Sequence, residues 1–193
     1  MTIYDVIGTP VTRAEGPDKV SGAHLYPADV HLPGMVFGKV LRSPFPHARI
    51  ASIDTSKAEK LCGVLAVVTG QDLLGVRVGR FLRDVPPLAE DKVRFVGEKV
   101  AAVAAIDPDI AEEALILIDV EYEELPAVFD PIETMEPGAP VIHEGSPSYD
   151  SPTGQVTPDG NVVYHNFWSG GDIERGFKES DLVFEHTFTT PWV

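Results

Sequence analysis

Cysteine is nearly absent. Cys62 is the single one in 193 residues, which excludes an internal disulfide and any thiolate-held iron–sulfur or zinc cluster made by this chain alone. Long hydrophobic runs are missing too. Nothing approaches 18 apolar residues, and the first residues show no basic region followed by an apolar stretch, so a membrane span and a secretory signal are not expected and a soluble, cytoplasmic protein is. Histidines number six (24, 31, 47, 143, 165 and 186) and never fall at HxH or HxxxH spacing, which argues against a metal site. Basic residues are scarce in one half only: residues 1–100 carry 13 Lys+Arg against 11 Asp+Glu, residues 101–193 only 2 against 19, for a net charge of −15. An acidic half repels phosphates and anionic lipid, so neither nucleic acid nor a membrane is an expected partner. It is either a solvated, solubilising surface or a docking face for a basic subunit.

What is present is an ordinary globular composition, 44% hydrophobic and 23% charged, long enough for one domain and part of another. Residues 1–23 mix polar residues with Gly and Pro without helical period and suggest an extended arm. "HLYPADVHLPGMVFGKVLR" reads as two strands about a turn at Pro33-Gly34, the second ended by Pro44 and Pro46. A strand at 48–54, a short helix with Ser56 and Glu59 at capping-box spacing, a stop at Gly63 and a strand at 64–69 form one strand–helix–strand unit.

The stretch "DKVRFVGEKVAAVAAIDPDIAEEALILIDVEYEELPAV", residues 91–128, supplies a second unit. Residues 100–106 are apolar without alternation, as in a strand buried on both faces, and their four alanines admit a close helix. Asp107 is placed to cap that helix, Pro108 sits at its first turn, and Ile110, Ala114, Leu117 and Ile118 form its inward stripe. Val120 and Tyr122 then alternate with Asp119, Glu121 and Glu123 up to Leu125-Pro126. The tight succession predicts a parallel pair with a right-handed crossover. Gly97 reads as a turn residue before a strand, not as a phosphate loop, which needs more glycines and a following helix. Glu98 has no carboxylate or His partner nearby in sequence and reads as a turn or interface residue.

Residues 129–161 form a Pro-, Gly-, Ser- and Asp-rich linker with too few apolar residues for a core. A strand at 162–168, a helix at 172–180 and a strand at 182–190 are predicted beyond it, with Leu182, Phe184, His186 and Phe188 on one face. Two strands and a helix exposing Phe167, Trp168, Phe184, Phe188 and Trp192 are too small to be stable alone, so this part is expected to be completed by something else.

Five stretches, "DKVSGAHLYPADV", "LRSPFPHARIASIDTSKA", "DKVRFVGEKVAAVAA", "AEEALILIDVEYEELPAV" and "GDIERGFKESDLVFEHTF", together resemble in order and spacing the large subunit of the molybdenum hydroxylases. That family contains xanthine dehydrogenase, aldehyde oxidase, carbon monoxide dehydrogenase and 4-hydroxybenzoyl-CoA reductase, whose alpha subunit the chain resembles most. Lys99 stands where the family often has Pro. The resemblance implies an α+β fold: an extended arm at 1–18, the α/β hammerhead domain at 19–130, a linker at 131–161, and at 162–193 an incomplete first part of the molybdopterin-binding domain. The family's pterin loops and catalytic glutamate match no stretch here, so it implies no catalytic, cofactor-binding or metal-binding residue in this chain. It implies a channel-lining and assembly role in an enzyme whose molybdopterin, 2Fe-2S clusters and flavin (FAD) lie on the rest of the large subunit, an iron–sulfur subunit and a flavin subunit.

Arg77, Arg80, Arg83, Lys92 and Arg94 concentrate in "GVRVGRFLRDVPPLAEDKVRF". They are candidates for steering an anionic substrate, against surface ion pairing with Asp84, Glu90 and Asp91. Phe95, Gly97, Glu98, Phe184, Phe188 and Trp192 are candidate turn or interface residues, and His47 in "SPFPHARI" is expected to hydrogen-bond a loop. The rival to the enzyme-component reading is a stand-alone binding or scaffold protein that kept the hammerhead domain. An unfinished unit at 162–193 favours the former.

Overall fold

The computed structural model describes residues 8, 10–145, 148–152 and 159–190. Two compact units emerge: Met1–Val76 with Pro86–Ala127, and Arg77–Val85 with Val128–Val193.

The first unit begins with a helix where an extended arm was expected, α1 (Gly16–Ser21). Pro17 occupies its first turn, where a missing N–H costs nothing, and Gly22 ends it at φ 76° in the left-handed region. Capping signals thus made a helix too short to show a period. The Pro33-Gly34 turn is present, with Met35 N–H on the Leu32 carbonyl at 3.0 Å. The segment before it contains a 3-10 turn at Pro27–Asp29 in place of a strand, since Asp29 accepts the Tyr26 N–H at 2.9 Å and bends the chain.

Six strands follow: β1 (Phe37–Arg42), β2 (Ala48–Asp54), β3 (Val64–Thr69), β4 (Lys92–Val93), β5 (Lys99–Ala105) and β6 (Asp119–Glu124). They form two three-stranded sheets, ordered β1-β5-β3 and β4-β2-β6, with antiparallel pairing throughout. The expected parallel pair with its right-handed crossover is therefore absent among the described residues. Helix α2 (Ser56–Glu59) carries the chain from β2 in one sheet to β3 in the other, and α3 (Pro108–Ile116) carries it back from β5 to β6. β1 and β3 already flank β5 on both edges, so β6 has no edge of β5 to join. The strand–helix–strand pattern foretold the elements and not the sheet that receives the second strand.

Local signals match more closely within the helices. Asp107 caps α3, accepting the Asp109 N–H at 2.8 Å. At α2 the cap is Thr55, whose hydroxyl donates to Glu59 at 2.6 Å, while Ser56, expected to be the cap, is the first helical residue.

One buried cluster joins Ala58 of α2, Ala101, Val103 and Ala105 of β5, and Ala111, Ala114 and Ile118 of the α3 region. Five of these seven are alanines, so helix and sheet backbones approach closely, as the alanine run implies. A second cluster holds Ala48, Ala89, Val93 and Val100 beneath Phe45 and Tyr122, whose ring centroids lie 5.0 Å apart. The β1–β5 register passes from Leu41↔Ala101 to Arg42↔Lys99, leaving Val100 out of the pairing. Val100 lies in the second cluster and its neighbour Ala101 in the first, as successive residues of a strand face opposite ways.

In the second unit Val78 and Val85 exchange backbone hydrogen bonds at 2.8 and 3.2 Å, and Arg83 N–H donates to the Asp150 carbonyl at 2.8 Å. The Asn161 side chain donates to the carbonyls of Thr134 and Pro140 and accepts from Ile142 N–H, each at 3.0 Å. Helix α4 (Ile173–Glu179) forms as expected, capped by Asp172. The predicted strands at 162–168 and 182–190 do not form. Alternation supplies a face, but a strand needs a neighbour for its N–H and C=O groups. The rings of Phe184, His186 and Phe188 still follow one another at 6.4 and 6.1 Å, and Trp168 and Phe188 are 86% and 88% exposed.

The alanine-rich contact yields a prediction. Ala111→Leu inserts a branched side chain where the residue is fully buried, and chemical denaturation should show a loss of about 1–3 kcal/mol. An unchanged midpoint would mean that α3 can move away from β5.

Candidate functional site

The first unit gathers the segments that the sequence singled out. After β1 the loop 43–47 folds on itself: the Ser43 hydroxyl donates to the Phe45 carbonyl and accepts the Phe45 N–H, both at 3.0 Å. Ser43 N–H donates to the Glu98 carbonyl at 2.9 Å, Gly97 N–H to the Ser43 carbonyl at 2.8 Å, and the Arg42 guanidinium to the Gly97 carbonyl at 2.8 Å. Gly97 has φ 90°, a conformation that favours glycine. His47 is buried, and its Nδ1 lies 2.6 Å from the Pro126 carbonyl, which makes that nitrogen the donor. Leu125 N–H donates back to the His47 carbonyl at 2.9 Å. Three segments far apart in sequence, 42–47, 94–98 and 125–126, are thereby joined through their backbones, with His47 bonding a loop as expected.

Glu98 is only 7% exposed, and its carboxylate accepts the Arg94 N–H within the same turn. Burial raises its pKa above the ordinary 4.5 and Asp91 adds to the rise, against the lowering effects of the Arg94 N–H and charge. On this base Phe95 and Val96 project, 57% and 62% exposed. The arrangement is suited to contact: a rigid turn presenting two apolar side chains.

The basic candidates divide between the units. Lys92 and Arg94 belong to the first, where Lys92 is buried in β4 and Arg94 Nη1 donates to the Lys92 carbonyl at 3.1 Å, with Asp91 at 3.4 Å from Nη2. Arg77, Arg80 and Arg83 belong to the second, where Arg83 lies 3.2 Å from the Asp150 carboxylate and Arg80 stacks 5.2 Å from the Phe81 ring. Phe184 and Phe188 are exposed, and Trp192 lies outside the described residues. Sequence reasoning passed over Ser43 and Asn161. Their partners lie 55, 27, 21 and 19 residues away, as Ser43–Glu98, Asn161–Thr134, Asn161–Pro140 and Asn161–Ile142, and no local pattern announces such contacts.

Comparison with known proteins settles the family. The model of the "aldehyde oxidase and xanthine dehydrogenase, a/b hammerhead domain" matches residues 21–126. The chain belongs to that family. It is 47% identical over 180 residues to a probable xanthine dehydrogenase subunit of Bacillus subtilis, covering 93% of this chain and 22% of that protein. It is 37% identical over 188 residues to the nicotinate dehydrogenase large molybdopterin subunit of Eubacterium barkeri, covering 97% of this chain and 41% of that one. Among solved structures, the hammerhead-family chain is similar to a Cu,Mo-CO dehydrogenase, with TM-score 0.67 and 44% identity over 71% of this chain and 18% of the other. It is also similar to the aldehyde oxidoreductase of Desulfovibrio gigas, with TM-score 0.68 and 26% identity over 88% and 19%. The chain thus spans about a fifth to two fifths of the curated relatives named here. Its mixed fold of two small sheets and few helices matches those neighbours.

Cys62 is alone and exposed, and no group of three or more His, Cys, Asp or Glu is placed to hold a metal among the described residues. The glycine turn at 97 leads into a strand, so no helix N-terminus follows it to receive a phosphate. No helix among the described residues is long and apolar enough to cross a membrane.

Glu98 gives a pH-dependent prediction. A folded-state pKa raised above the unfolded value contributes stability that is fully present below the unfolded pKa and is lost as pH rises through the folded one. Glu98→Gln keeps an oxygen acceptor for Arg94 N–H and removes the titration. The stability of the variant relative to the parent should therefore increase from about pH 4 to about pH 7 in urea melts. A pH-independent difference would show that Glu98 titrates alike in both states.

Proposed function

We propose that this hammerhead chain is a noncatalytic, channel-lining and assembly part of a molybdenum-dependent hydroxylase or dehydrogenase of the xanthine dehydrogenase and aldehyde oxidase type. Its partners are the remaining molybdopterin-binding part of the large subunit, an iron–sulfur subunit and, in some such enzymes, a flavin subunit. The molybdopterin, 2Fe-2S and FAD groups sit on those partners, in the cytoplasm. The observation that carries the reading is the second unit. Its aromatic residues Phe167, Trp168, Phe184 and Phe188 are exposed, and the segments that carry them lack pairing strands among the described residues. Apolar exposure on that scale is characteristic of a surface awaiting another polypeptide. Family membership, and relatives named as large or molybdopterin subunits of which this chain covers 41% and 23%, support the same reading.

In this scheme residues 19–130 act as the hammerhead domain, 131–161 as the connection, and 162–193 as a portion of the pterin-binding domain completed by the partner. The turn bearing Phe95 and Val96 is the wall element offered to the channel. Lys92 and Arg94 on the first unit, and Arg77, Arg80 and Arg83 on the second, are the candidates for steering an anionic substrate in an otherwise acidic chain.

Copurification of the tagged chain from its native host tests the assignment. Larger polypeptides together with molybdenum and iron are expected in the recovered material. A chain that emerges alone and metal-free would overturn it and leave the stand-alone scaffold. Phe184→Asp with Phe188→Asp should reduce recovery of the larger polypeptides by at least about tenfold, since charge in a buried contact is costly.

A further inference from the structure

The four outer strands of the two sheets are not equally protected. β6 carries Asp119, Glu121, Glu123 and Glu124, β1 carries Lys39 and Arg42, and β4 is two residues long. Charge and brevity are the usual defences of an exposed edge. β3, with sequence VLAVVT, has neither charge nor proline, pairs among the described residues on one side only, with β5, and exposes Leu65 by 57%. It is the undefended edge of the first unit.

That strand lines a groove. Beyond Ile50, whose N–H donates to the Asp91 carbonyl at 2.9 Å, β2 has no partner strand on its β4 side among the described residues. The groove between this stretch and β3 measures about 450 Å³ and has Ile53, Val67 and Thr69 among its lining. Its charged lining residues are Glu59, Asp72 and Glu90, all carboxylates. Asp72 accepts the Thr69 N–H at 2.7 Å, which holds its pKa below the ordinary range, so the end of the groove stays negative.

We propose that the free edge of β3, with the groove it shares with β2, receives an extended lysine- or arginine-bearing segment of a companion polypeptide as an added strand. Main-chain hydrogen bonds to the edge provide affinity, and alternate side chains reach Ile53 and Val67 on one side and the carboxylates on the other. That the segment comes from a companion rests on the function proposed above. The chemistry of the groove does not.

The full chain is tested first with a short blocked peptide alternating lysine and valine, and with its glutamate counterpart. The lysine peptide should slow amide hydrogen exchange within residues 64–69 and bind at least about tenfold more weakly to Glu59→Lys, while the glutamate peptide should do neither. Equal binding of both peptides, protection confined to other residues, or no binding would overturn the proposal. The copurified complex is then compared with the free chain. Slower exchange at 64–69 in the complex is expected, and unchanged exchange there would refute the docking edge while leaving the assignment to a larger enzyme intact. If no complex forms, that assignment fails and the peptide result alone decides the groove.

Discussion

Everything in the first unit depends on the burial of β5. It is the middle strand of its sheet, α3 packs on it, and its alanines set how near that helix can come. A strand flanked in this way has no edge to offer, so the strand after α3 does not pair with β5 and is found in the other sheet. The two helical connections run in opposite senses between the sheets, and Val100 and Ala101, on opposite faces, let the same strand contribute to both apolar clusters. With both clusters fixed, the ends of β1, β2, β4 and β6 are brought to where loop 43–47, turn 94–98 and residues 125–126 can be bonded together.

Much of this was legible because the signals were local. Asp107 and Pro108 marked the start of α3, and Gly97 marked a turn; the unbroken apolar run marked the strand β5 but overstated its burial, since Ala101, Val103 and Ala105 are buried while Ala102 and Ala104 are half-buried and Ile106 is exposed. The sheet assignment was not legible, since it depends on which edges are already occupied, a property of the whole arrangement. The short α1 was hidden because six residues are too few for a period to show. The segments 162–168 and 182–190 failed in the other direction: the alternation at 182–190 is genuine, but pattern alone cannot supply a partner for backbone groups.

The candidate site divides along the same line. Phe95, Gly97 and Glu98 could be singled out because they are neighbours in sequence. That Glu98 is buried, and that its carbonyl receives the Ser43 N–H, became visible only when a loop 55 residues earlier was folded beside it. The acidic half of the chain reads differently in three dimensions as well. Asp119, Glu121 and Glu123 guard the edge of β6, and Asp107 and Asp172 cap helices, so part of the negative charge serves shape.

The region around residues 134–142 is held in another way. One carboxamide ties three of its backbone groups through Asn161. Both donors face carbonyl oxygens, so replacing the nitrogen by oxygen, as spontaneous deamidation does, would turn two attractions into repulsions at once. Three backbone anchors of that stretch therefore depend on the chemistry of a single side-chain atom, and hydrolysis of one amide with age would weaken them together.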